Sequence, residues 1–382
     1  MSRRLRAFAL VGAAVALFSG RASAQHAYVA FGDSITFGFA DPPNPAAAYP
    51  TQLKSLLAAR GLTDTVRNAG LPNETTAGGL TRINSVLNQG GDTLLLMEGT
   101  NDINAQNISN ETIAFNLDQI AIKAEARGWT VVHAPVIPRL PSANHDGMNT
   151  VTGDLAAQTR NLAWQKLRRL ADPFEVFITT TDVFTRYYVG GSDKLHPNAA
   201  GYLRLAEIFR DVLVGIDTVP PVPGVFSPAH GVTNAPALGP FTATLYDFGQ
   251  GIDATRTTML LNGTVVASVA AGDAKKLTMS YTPTAPVHGQ ITLSVRSSDL
   301  NIPPNTSEHV LSTFVTQGTT FLDGDVNRDG RVDGADLVRM GVAFGARKGD
   351  PRYFAPADIN GDNLIDGLDF SALAFNFGKS SF

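Results

Sequence analysis

Residues 27–35 have the sequence AYVAFGDSI, a short apolar run that ends in Gly-Asp-Ser. A continuous apolar run of this length is typical of a strand that is buried on both faces of a parallel sheet. Further runs of this kind alternate along the chain with stretches of helical periodicity; we predict strands at 93–97, 129–137 and 175–179 and helices at 51–59, 111–126 and 199–214. This alternation predicts an α/β domain with a parallel sheet covered by helices.

Chemically useful residues follow the predicted strands. Ser34 follows the first strand, Gly70 follows an apolar-centred stretch around Val66, and Asn101 follows the strand at 93–97. The functional loops of such sheets lie at the carboxyl ends of the strands. A serine there can act as a nucleophile, a glycine lets a backbone N–H approach a reacting oxygen, and an asparagine amide can donate to an oxyanion.

A histidine and an aspartate precede the predicted closing helix, in the sequence Asp193-Lys-Leu-His196-Pro. Histidine is the natural base near neutral pH, and a carboxylate on its other ring nitrogen fixes its tautomer and charge. Asp102 is a less favoured candidate for that carboxylate. We otherwise interpret Asp33 and Asp102 as hydrogen-bond acceptors that brace loops, and His133 as a core residue because it lies within an apolar run.

These four sequence blocks resemble those of the GDSL or SGNH hydrolases. The family's four signature residues are matched by Ser34, Gly70, Asn101 and His196, and the resemblance spans about residues 27–208. It implies a flavodoxin-like three-layer α/β/α fold, catalysis by Ser34, His196 and Asp193 through an acyl-enzyme, and an oxyanion hole built from the Ser34 and Gly70 backbone N–H groups and the Asn101 side chain. Residues 68–80 are similar to the bacterial thioesterase and lysophospholipase branch.

The composition changes after residue 215. The Pro-rich stretch 218–223 (TVPPVP) is typical of a linker, and short β-type runs follow it up to about residue 315. Asn262-Gly263 between two of these runs predicts a hairpin. The region 216–317 resembles a bacterial immunoglobulin-like β-sandwich, for which a spacer role is the simplest interpretation.

The last region, 321–382, contains an internal repeat of a twelve-residue loop. In each copy positions one, three, five and twelve are Asp, Asn, Asp and Asp, and position seven can offer its backbone carbonyl, which is the ligand pattern of a Ca²⁺ loop. Gly330 and Asn363 occupy position six, where the chain must turn sharply. The predicted ligand residues are Asp325, Asn327, Asp329, Arg331, Asp333 and Asp336 in the first copy, and Asp358, Asn360, Asp362, Leu364, Asp366 and Asp369 in the second.

Paired loops of this kind, each followed by an apolar helical segment (337–344 and 370–377), resemble a type I dockerin. The resemblance implies two structural Ca²⁺ ions and docking to a cohesin module on a scaffold protein. One departure concerns the residues after the ninth position. They are Gly334-Ala335 and Gly367-Leu368, and not the Ser-Thr type of pair common in dockerins, which leaves open whether a cohesin partner exists.

Composition excludes several classes of protein. The 382 residues carry a formal net charge of -4 without a basic stripe, so nothing points to a nucleic-acid partner, and the absence of cysteine excludes disulfides and thiol catalysis. Residues 1–24 have the charged, apolar and Ala-x-Ala regions of a secretory signal peptide, with cleavage expected after Ala24. We therefore expect a secreted protein without a membrane span, with a hydrolase domain at residues 25–215.

Three functions remain open at this point. The first is a carbohydrate esterase that removes acetyl groups from polysaccharides, an acyl transfer that needs no cofactor. The second is a lipolytic or thioester hydrolase, suggested by residues 68–80. The third is a non-catalytic scaffold-binding protein, against which the four intact blocks argue.

Overall fold

The chain folds into three units, each with its own hydrophobic core. The computed structural model describes residues 25–39, 45–105, 108–140, 145–317 and 321–380. The first core draws on residues from Tyr28 to Val219, the second on residues from Phe226 to Phe314, and the third on residues from Leu322 to Leu373. The predicted signal peptide lies outside the described residues.

A five-stranded parallel sheet forms the centre of the first unit. Its strands are β1 (Ala27–Gly32), β2 (Thr65–Gly70), β3 (Thr93–Met97), β4 (Thr130–His133) and β5 (Arg169–Leu170), in the spatial order β2-β1-β3-β4-β5. The strand order reverses at β1, so the carboxyl ends of β1, β2 and β3 lie side by side. The residues that follow these three strands therefore share one edge of the sheet.

Helices cover both faces of this sheet. They are α1 (Ser34–Phe37), α2 (Tyr49–Ala58), α3 (Thr76–Leu87), α4 (Thr100–Ala105), α5 (Asn110–Glu125), α6 (His145–Gln165), α7 (Pro173–Thr179), α8 (Val183–Tyr187) and α9 (Ala199–Val214). Helix α2 packs against α9, whereas α5 packs against both α3 and α6. The side chains of Thr75, Ser109 and Asn198 cap α3, α5 and α9. The predicted three-layer α/β/α fold is confirmed.

Two strand predictions differ from the structure. The stretch 175–179 is not a strand but the end of α7, because Asp172 accepts the N–H of Glu175 at 2.9 Å and Pro173 stands in the first turn of the helix. The edge strand of the sheet is β5 instead. The predicted strand at 129–137 is only four residues long, and the chain leaves the parallel sheet after Ala134.

The second unit consists of two four-stranded antiparallel sheets. One has the order β11-β10-β14-β15 and the other β12-β13-β9-β8. Their strands, in chain order, are β8 (Val222–Ser227), β9 (Phe241–Tyr246), β10 (Thr258–Leu261), β11 (Thr264–Val265), β12 (Val269–Gly272), β13 (Lys276–Tyr281), β14 (Gln290–Ser298) and β15 (Thr306–Val315). The strands β6 (Tyr188–Gly190) and β7 (Asp193–Pro197) form a small hairpin in the first unit. The predicted hairpin is confirmed, with φ of 49° at Asn262 and 76° at Gly263.

A buried charged network joins the first two units. The guanidinium of Arg160 donates to Asp172 at 2.7 Å, to Glu175 at 3.1 Å and to the backbone oxygen of Pro223 at 2.9 Å. From the β-sandwich, His309 Nδ1 lies 3.5 Å from Glu175. Because the Arg160, Asp172, Glu175 and His309 side chains are almost wholly buried, the two units share a dehydrated polar interface.

An aromatic contact lies beside this network. The ring centroid of Trp164, on α6, is 5.4 Å from that of Tyr246 and 6.5 Å from that of Phe248. The Tyr246 hydroxyl donates to Asn161 at 2.7 Å. The β-sandwich therefore contacts α6 through apolar as well as polar groups.

The third unit contains two short helices, α10 (Gly334–Ala343) and α11 (Gly367–Asn376). Each helix begins earlier than predicted, since the last four residues of each loop already belong to the cap and first turn. Asp333 and Asp336 form a capping box at α10, and Asp366 and Asp369 form the same box at α11.

Candidate active site

Ser34 lies at the carboxyl edge of the parallel sheet, at the first position of α1. The side chain of Asp33 accepts the N–H of Ile35 at 2.9 Å and caps this short helix. Gly32 is needed just before it, because a Cβ at this residue would lie 2.0 Å from the backbone oxygen of Met97 on β3. Close packing of β1 against β3 thus fixes the backbone that presents the Ser34 hydroxyl.

His196 and Asp193 complete a hydrogen-bonded chain with Ser34. The Ser34 Oγ lies 3.0 Å from His196 Nε2, and His196 Nδ1 lies 2.9 Å from Asp193 Oδ2. The other oxygen of Asp193 accepts the N–H groups of Leu195 and His196, each at 2.9 Å. Residues 162 positions apart in sequence are therefore brought into the geometry that a serine nucleophile and its base require.

The electrostatics of Asp193 suit this arrangement. Burial would raise the pKa of Asp193, but the two backbone N–H groups and the neighbouring imidazole more than offset it, so the pKa lies below its usual value. Asp193 is consequently ionised at neutral pH. The ring of Phe39 packs on His196 with 4.6 Å between centroids and limits how far the imidazole can swing.

Two of the three predicted oxyanion donors already donate hydrogen bonds within the protein. One N–H of the Asn101 amide donates to the backbone oxygen of Glu74 at 2.8 Å, which leaves the second for another acceptor. The N–H of Gly70, however, donates to the Asn68 side chain at 2.9 Å. A role for Gly70 in an oxyanion hole therefore requires Asn68 to turn away. Gly70 has a packing role as well, since a Cβ there would lie 2.2 Å from the Phe37 nitrogen.

A tight turn next to Asn101 was missed in the sequence. Leu71 accepts the N–H of Glu74 at 3.2 Å, and Asn73 has a φ of 64°. Pro72 followed by a residue of positive φ is typical of a type II turn, so the Pro-Asn dipeptide was the available signal. In the part of the chain that the structure describes, the Asn73 N–H makes no hydrogen bond.

The remaining candidate residues have structural roles. Asp102 accepts the backbone N–H and the hydroxyl of Thr76 at 2.9 and 2.6 Å, so it braces α3 and does not contact His196. His133 is fully buried with Nε2 3.2 Å from Arg168, and burial lowers the pKa of His133 to about 3. The interpretation of Asp102 as a loop brace and of His133 as a core residue is confirmed.

A buried acidic residue beneath the site was also missed. Both carboxyl oxygens of Glu98, which directly precedes the block Gly99–Asp102, are buried without hydrogen-bond partners among the described residues. Burial, and then the negative charge of Glu74, raises the pKa of Glu98 well above its usual value. Burial therefore favours the neutral form of the Glu98 carboxyl next to the block Gly99–Asp102.

The two repeat loops have the shape expected of a cation site. Asp325 accepts the N–H groups of Asp329 and Gly330 at 3.1 and 2.8 Å, and Asp336 accepts those of Asn327 and Asp333 at 2.9 Å each. Burial raises the pKa of Asp325 to about 6, although hydrogen bonds act against this, and the charges of Asp336 and Asp329 raise it further. This crowding of carboxylates fits a loop built for a bound cation.

The second loop repeats this geometry. Asp358 accepts the N–H groups of Asp362 and Asn363 at 3.1 and 2.9 Å, and Asp369 accepts those of Asn360 and Asp366 at 3.1 and 2.9 Å. The sixth position has a φ of 69° at Asn363 and 89° at Gly330, as predicted for the sharp turn. Asparagine thus replaces glycine here without a change in the turn.

Comparison with known families agrees with the geometry. Residues 30–204 match the model of the GDSL-like Lipase/Acylhydrolase family. This region belongs to that family. The GDSL domain is accordingly an ester-bond hydrolase, and the non-catalytic alternative is disfavoured. Residues 323–376 match the Dockerin type I domain. Dockerin domains bind calcium and cohesin modules, and they are typical of extracellular proteins.

Several solved structures resemble the GDSL domain. A lipase/acylhydrolase from Enterococcus faecalis is 26% identical, with a TM-score of 0.45, over 50% of this chain and 96% of that one. A carbohydrate acetylesterase family member from Sinorhizobium meliloti is 17% identical, with a TM-score of 0.42, over 50% and 97%. An acetylxylan esterase from Geobacillus stearothermophilus is 18% identical, with a TM-score of 0.42, over 50% and 95%. No curated protein matches the chain.

Among the helices that the structure describes, none combines the length and the apolar character that crossing a bilayer requires.

Proposed function

We propose that the GDSL domain hydrolyses carboxylic esters through a Ser34 acyl-enzyme, with His196 as general base and Asp193 as its partner. The hydrogen-bonded chain from Ser34 Oγ through the imidazole to Asp193, at 3.0 and 2.9 Å, is the observation that carries this assignment. In the first step His196 takes the Ser34 proton while Oγ attacks the ester carbonyl. The same imidazole then protonates the leaving alcohol.

Deacylation repeats these steps with water. His196 takes a proton from the water, hydroxide adds to the acyl carbonyl, and collapse of the tetrahedral intermediate returns the proton to Ser34 and releases the acid. Asp193 remains ionised throughout and stabilises the positive charge that the imidazole acquires twice in each cycle. A Ser34-directed organophosphorus probe should label the wild type and leave Ser34→Ala unlabelled; labelling of both would place the nucleophile elsewhere.

The oxyanion is stabilised, in this proposal, by the Ser34 N–H and the free N–H of the Asn101 amide. Loss of one such donor typically costs about 10²–10³ in kcat. We expect Asn101→Ala to lose activity on that scale while it remains folded; near wild-type turnover would remove Asn101 from the mechanism.

The third donor is the Gly70 N–H or the N–H of Asn73 in the adjacent turn. Asn68→Ala releases the Gly70 N–H from its present acceptor. A higher kcat in Asn68→Ala would assign Gly70 as a donor, and an unchanged kcat in a folded variant would favour Asn73.

Acylated polysaccharide is the substrate class that we propose. The support is the joining of an ester hydrolase to a dockerin domain in one chain, because a dockerin brings its enzyme to a scaffold. We expect acetate release from acetylated xylan, absent in Ser34→Ala. Hydrolysis confined to long-chain aryl esters or thioesters would refute this substrate class and leave the acyl-enzyme mechanism standing.

A lipolytic function is the second candidate, and one observation favours it. Apolar side chains flank Gly70 and His196 and are exposed: Phe37 at 39%, Phe39 at 37% and Leu71 at 45%. An acyl chain could rest on this surface. Leu71→Ser should then weaken turnover of octanoate esters more than that of acetate esters; equal effects on both would count against a lipolytic role.

We propose further that each dockerin loop holds one Ca²⁺ through the ligands named above, and that the domain docks to a cohesin. Exposed apolar side chains on the two helices give such a partner a surface: Val338, Val342, Leu368 and Phe375 are each at least 65% exposed. EDTA should unfold this domain, seen as a loss of helical circular dichroism. Ester hydrolysis should persist; its loss on chelation would contradict a purely structural role for these ions.

The domain limits that we propose are 25–215, 216–317 and 321–382. The region 216–317 is then an immunoglobulin-like spacer, and the signal peptide at 1–24 directs secretion. Edman sequencing of the secreted protein should begin at Gln25; a chain that retains residues 1–24 would refute the cleavage site.

A further inference from the structure

Three carboxylates from distant parts of the sequence meet where the chain leaves the GDSL domain. Asp217 follows α9, Asp247 follows β9, and Asp299 follows β14. One carboxylate oxygen from each lies within 4.8 Å of the other two. Asp247 and Asp299 are 3% and 1% exposed. Burial of several carboxylates together is unfavourable unless a cation or protons compensate for the charge.

Asp247 has an oxygen that the protein does not use. Its Oδ1 accepts the N–H groups of Gly249 and Gly251 at 2.7 and 2.9 Å. Its Oδ2 is buried and has no hydrogen-bond partner among the described residues. Since buried polar atoms in folded proteins nearly always have a partner, this oxygen is available to ligate a cation.

Two asparagines converge on the same point. The amide nitrogens of Asn301 and Asn305 lie 2.9 and 2.6 Å from Asp299 Oδ2, and 3.4 and 3.5 Å from the backbone oxygen of Asp217. Rotation of either amide by half a turn exchanges its nitrogen and oxygen. The cluster then offers three carboxylates, two amide oxygens and one backbone carbonyl, which is the all-oxygen set that Ca²⁺ prefers.

The net charge of the cluster suits a divalent cation. Lys275 is the one cation near Asp247 among the described residues; its Nζ lies 3.9 Å from Oδ1 and also donates to the backbone oxygen of Gly249. Its side chain is 45% exposed and remains largely hydrated. The three carboxylates and the one ammonium group leave two negative charges uncompensated.

We propose that Asp217, Asp247 and Asp299, with Asn301 and Asn305, form a calcium site separate from the dockerin loops. The ion would tie the segment that follows α9 to the ends of two β-sandwich strands, one from each sheet. It would thereby fix the joint between the catalytic domain and the β-sandwich. Extracellular calcium modules bind with Kd values of about 10⁻⁴–10⁻³ M, so the site would be filled outside the cell.

Calcium counting on the full chain tests the proposal. Equilibrium dialysis at millimolar free Ca²⁺ should show one bound equivalent fewer for Asp247→Asn than for the wild type. Glu308→Gln is the matched control, because it removes one carboxylate from an exposed ion pair with Arg296 in the same β-sandwich. Equal calcium content in Asp247→Asn and Glu308→Gln would overturn the proposal. If Asp247→Asn does not fold, Asp217→Asn, at a less buried position, serves in the same comparison.

Thermal unfolding separates a ligand from a merely structural residue. In EDTA, Asp247→Asn should melt at or above the wild-type temperature, because it relieves repulsion and its amide oxygen can accept the same two N–H groups. In Ca²⁺, the wild type should gain a larger upward shift than Asp247→Asn. A variant destabilised equally in EDTA and in Ca²⁺ would show that Asp247 acts only through packing and hydrogen bonds.

Discussion

Replacement of Asp193 by asparagine should lower kcat/KM by about 10³ or more. The change leaves an oxygen for the N–H groups of Leu195 and His196 but removes the charge 2.9 Å from the imidazole. The side chains of His196 and Asp193 are 14% and 15% exposed, so an effective dielectric constant of about 20 applies. Unit charges about 4 Å apart then attract by about 4 kcal/mol, and each 1.4 kcal/mol corresponds to about a factor of ten in rate.

A change in the tautomer of His196 adds to this loss of kcat/KM. An asparagine that turns its NH₂ toward Nδ1 holds the imidazole proton on Nε2, where it cannot accept the Ser34 proton, and such a substitution can cost about 10⁴. The assay is the initial rate on an aryl acetate. Asp182→Asn is the matched control, since it removes a 48% exposed carboxylate paired with Arg186. If a folded Asp193→Asn enzyme stays within threefold of Asp182→Asn, Asp193 is not the partner of His196.

Three further predictions concern stability. Gly32→Ala should destabilise the GDSL domain by at least about 1–3 kcal/mol, because its Cβ would lie 2.0 Å from the Met97 oxygen. Gly153→Ala is the control, since its Cβ would have its nearest contact at 3.5 Å and should cause no such loss. Similar denaturant midpoints for the two variants would refute this packing argument. Burial raises the pKa of Glu175 to about 7, so the contribution of this group to stability is lost as pH rises from about 4.5 to 7, whereas burial lowers the pKa of the neighbouring His309 to about 4 and gives a contribution of opposite sign. The free energy of unfolding of the wild type should therefore decline relative to that of Glu175→Gln over this pH range; a constant difference between the two proteins would contradict the assignment. Glu98→Gln should leave the melting temperature unchanged or raised, since burial disfavours the charged form of Glu98 and a neutral amide has nearly the same shape, and a loss above about 1 kcal/mol would refute this reasoning.

Much of the fold and of the site could be predicted from the sequence, because the local signals at helix and strand ends agree with the packing of the whole domain. The predicted helix at 199–214 has those limits in the structure, since the Asn198 cap and the αL residue Gly215 mark both ends. The positions of Ser34, His196 and Asp193 followed from residues that terminate buried strands or precede a capped helix. Such residues share an edge in any parallel sheet, so their meeting could be predicted before the structure.

The errors have equally specific causes. The stretch 175–179 has three consecutive apolar residues at its centre, as a short buried strand does, and the stronger signal is the cap at Asp172-Pro173, which starts a helix. The Asn68 acceptor that occupies the Gly70 N–H is a side-chain orientation and leaves no trace in the sequence. The network of Arg160, Glu175 and His309 depends on how two domains pack, which periodicity within each domain does not encode.

The contact between Trp164 and Tyr246 gives this chain an internal optical reporter. Only two tryptophans are present, and Trp129 is 8% exposed within the core of the GDSL domain. Trp164 instead meets a β-sandwich ring at 5.4 Å. Separation of the two domains would hydrate Trp164 while Trp129 stayed dry, and would shift part of the emission to longer wavelength. Stopped-flow fluorescence of the unlabelled enzyme can therefore report whether the GDSL domain and the β-sandwich separate while substrate turns over.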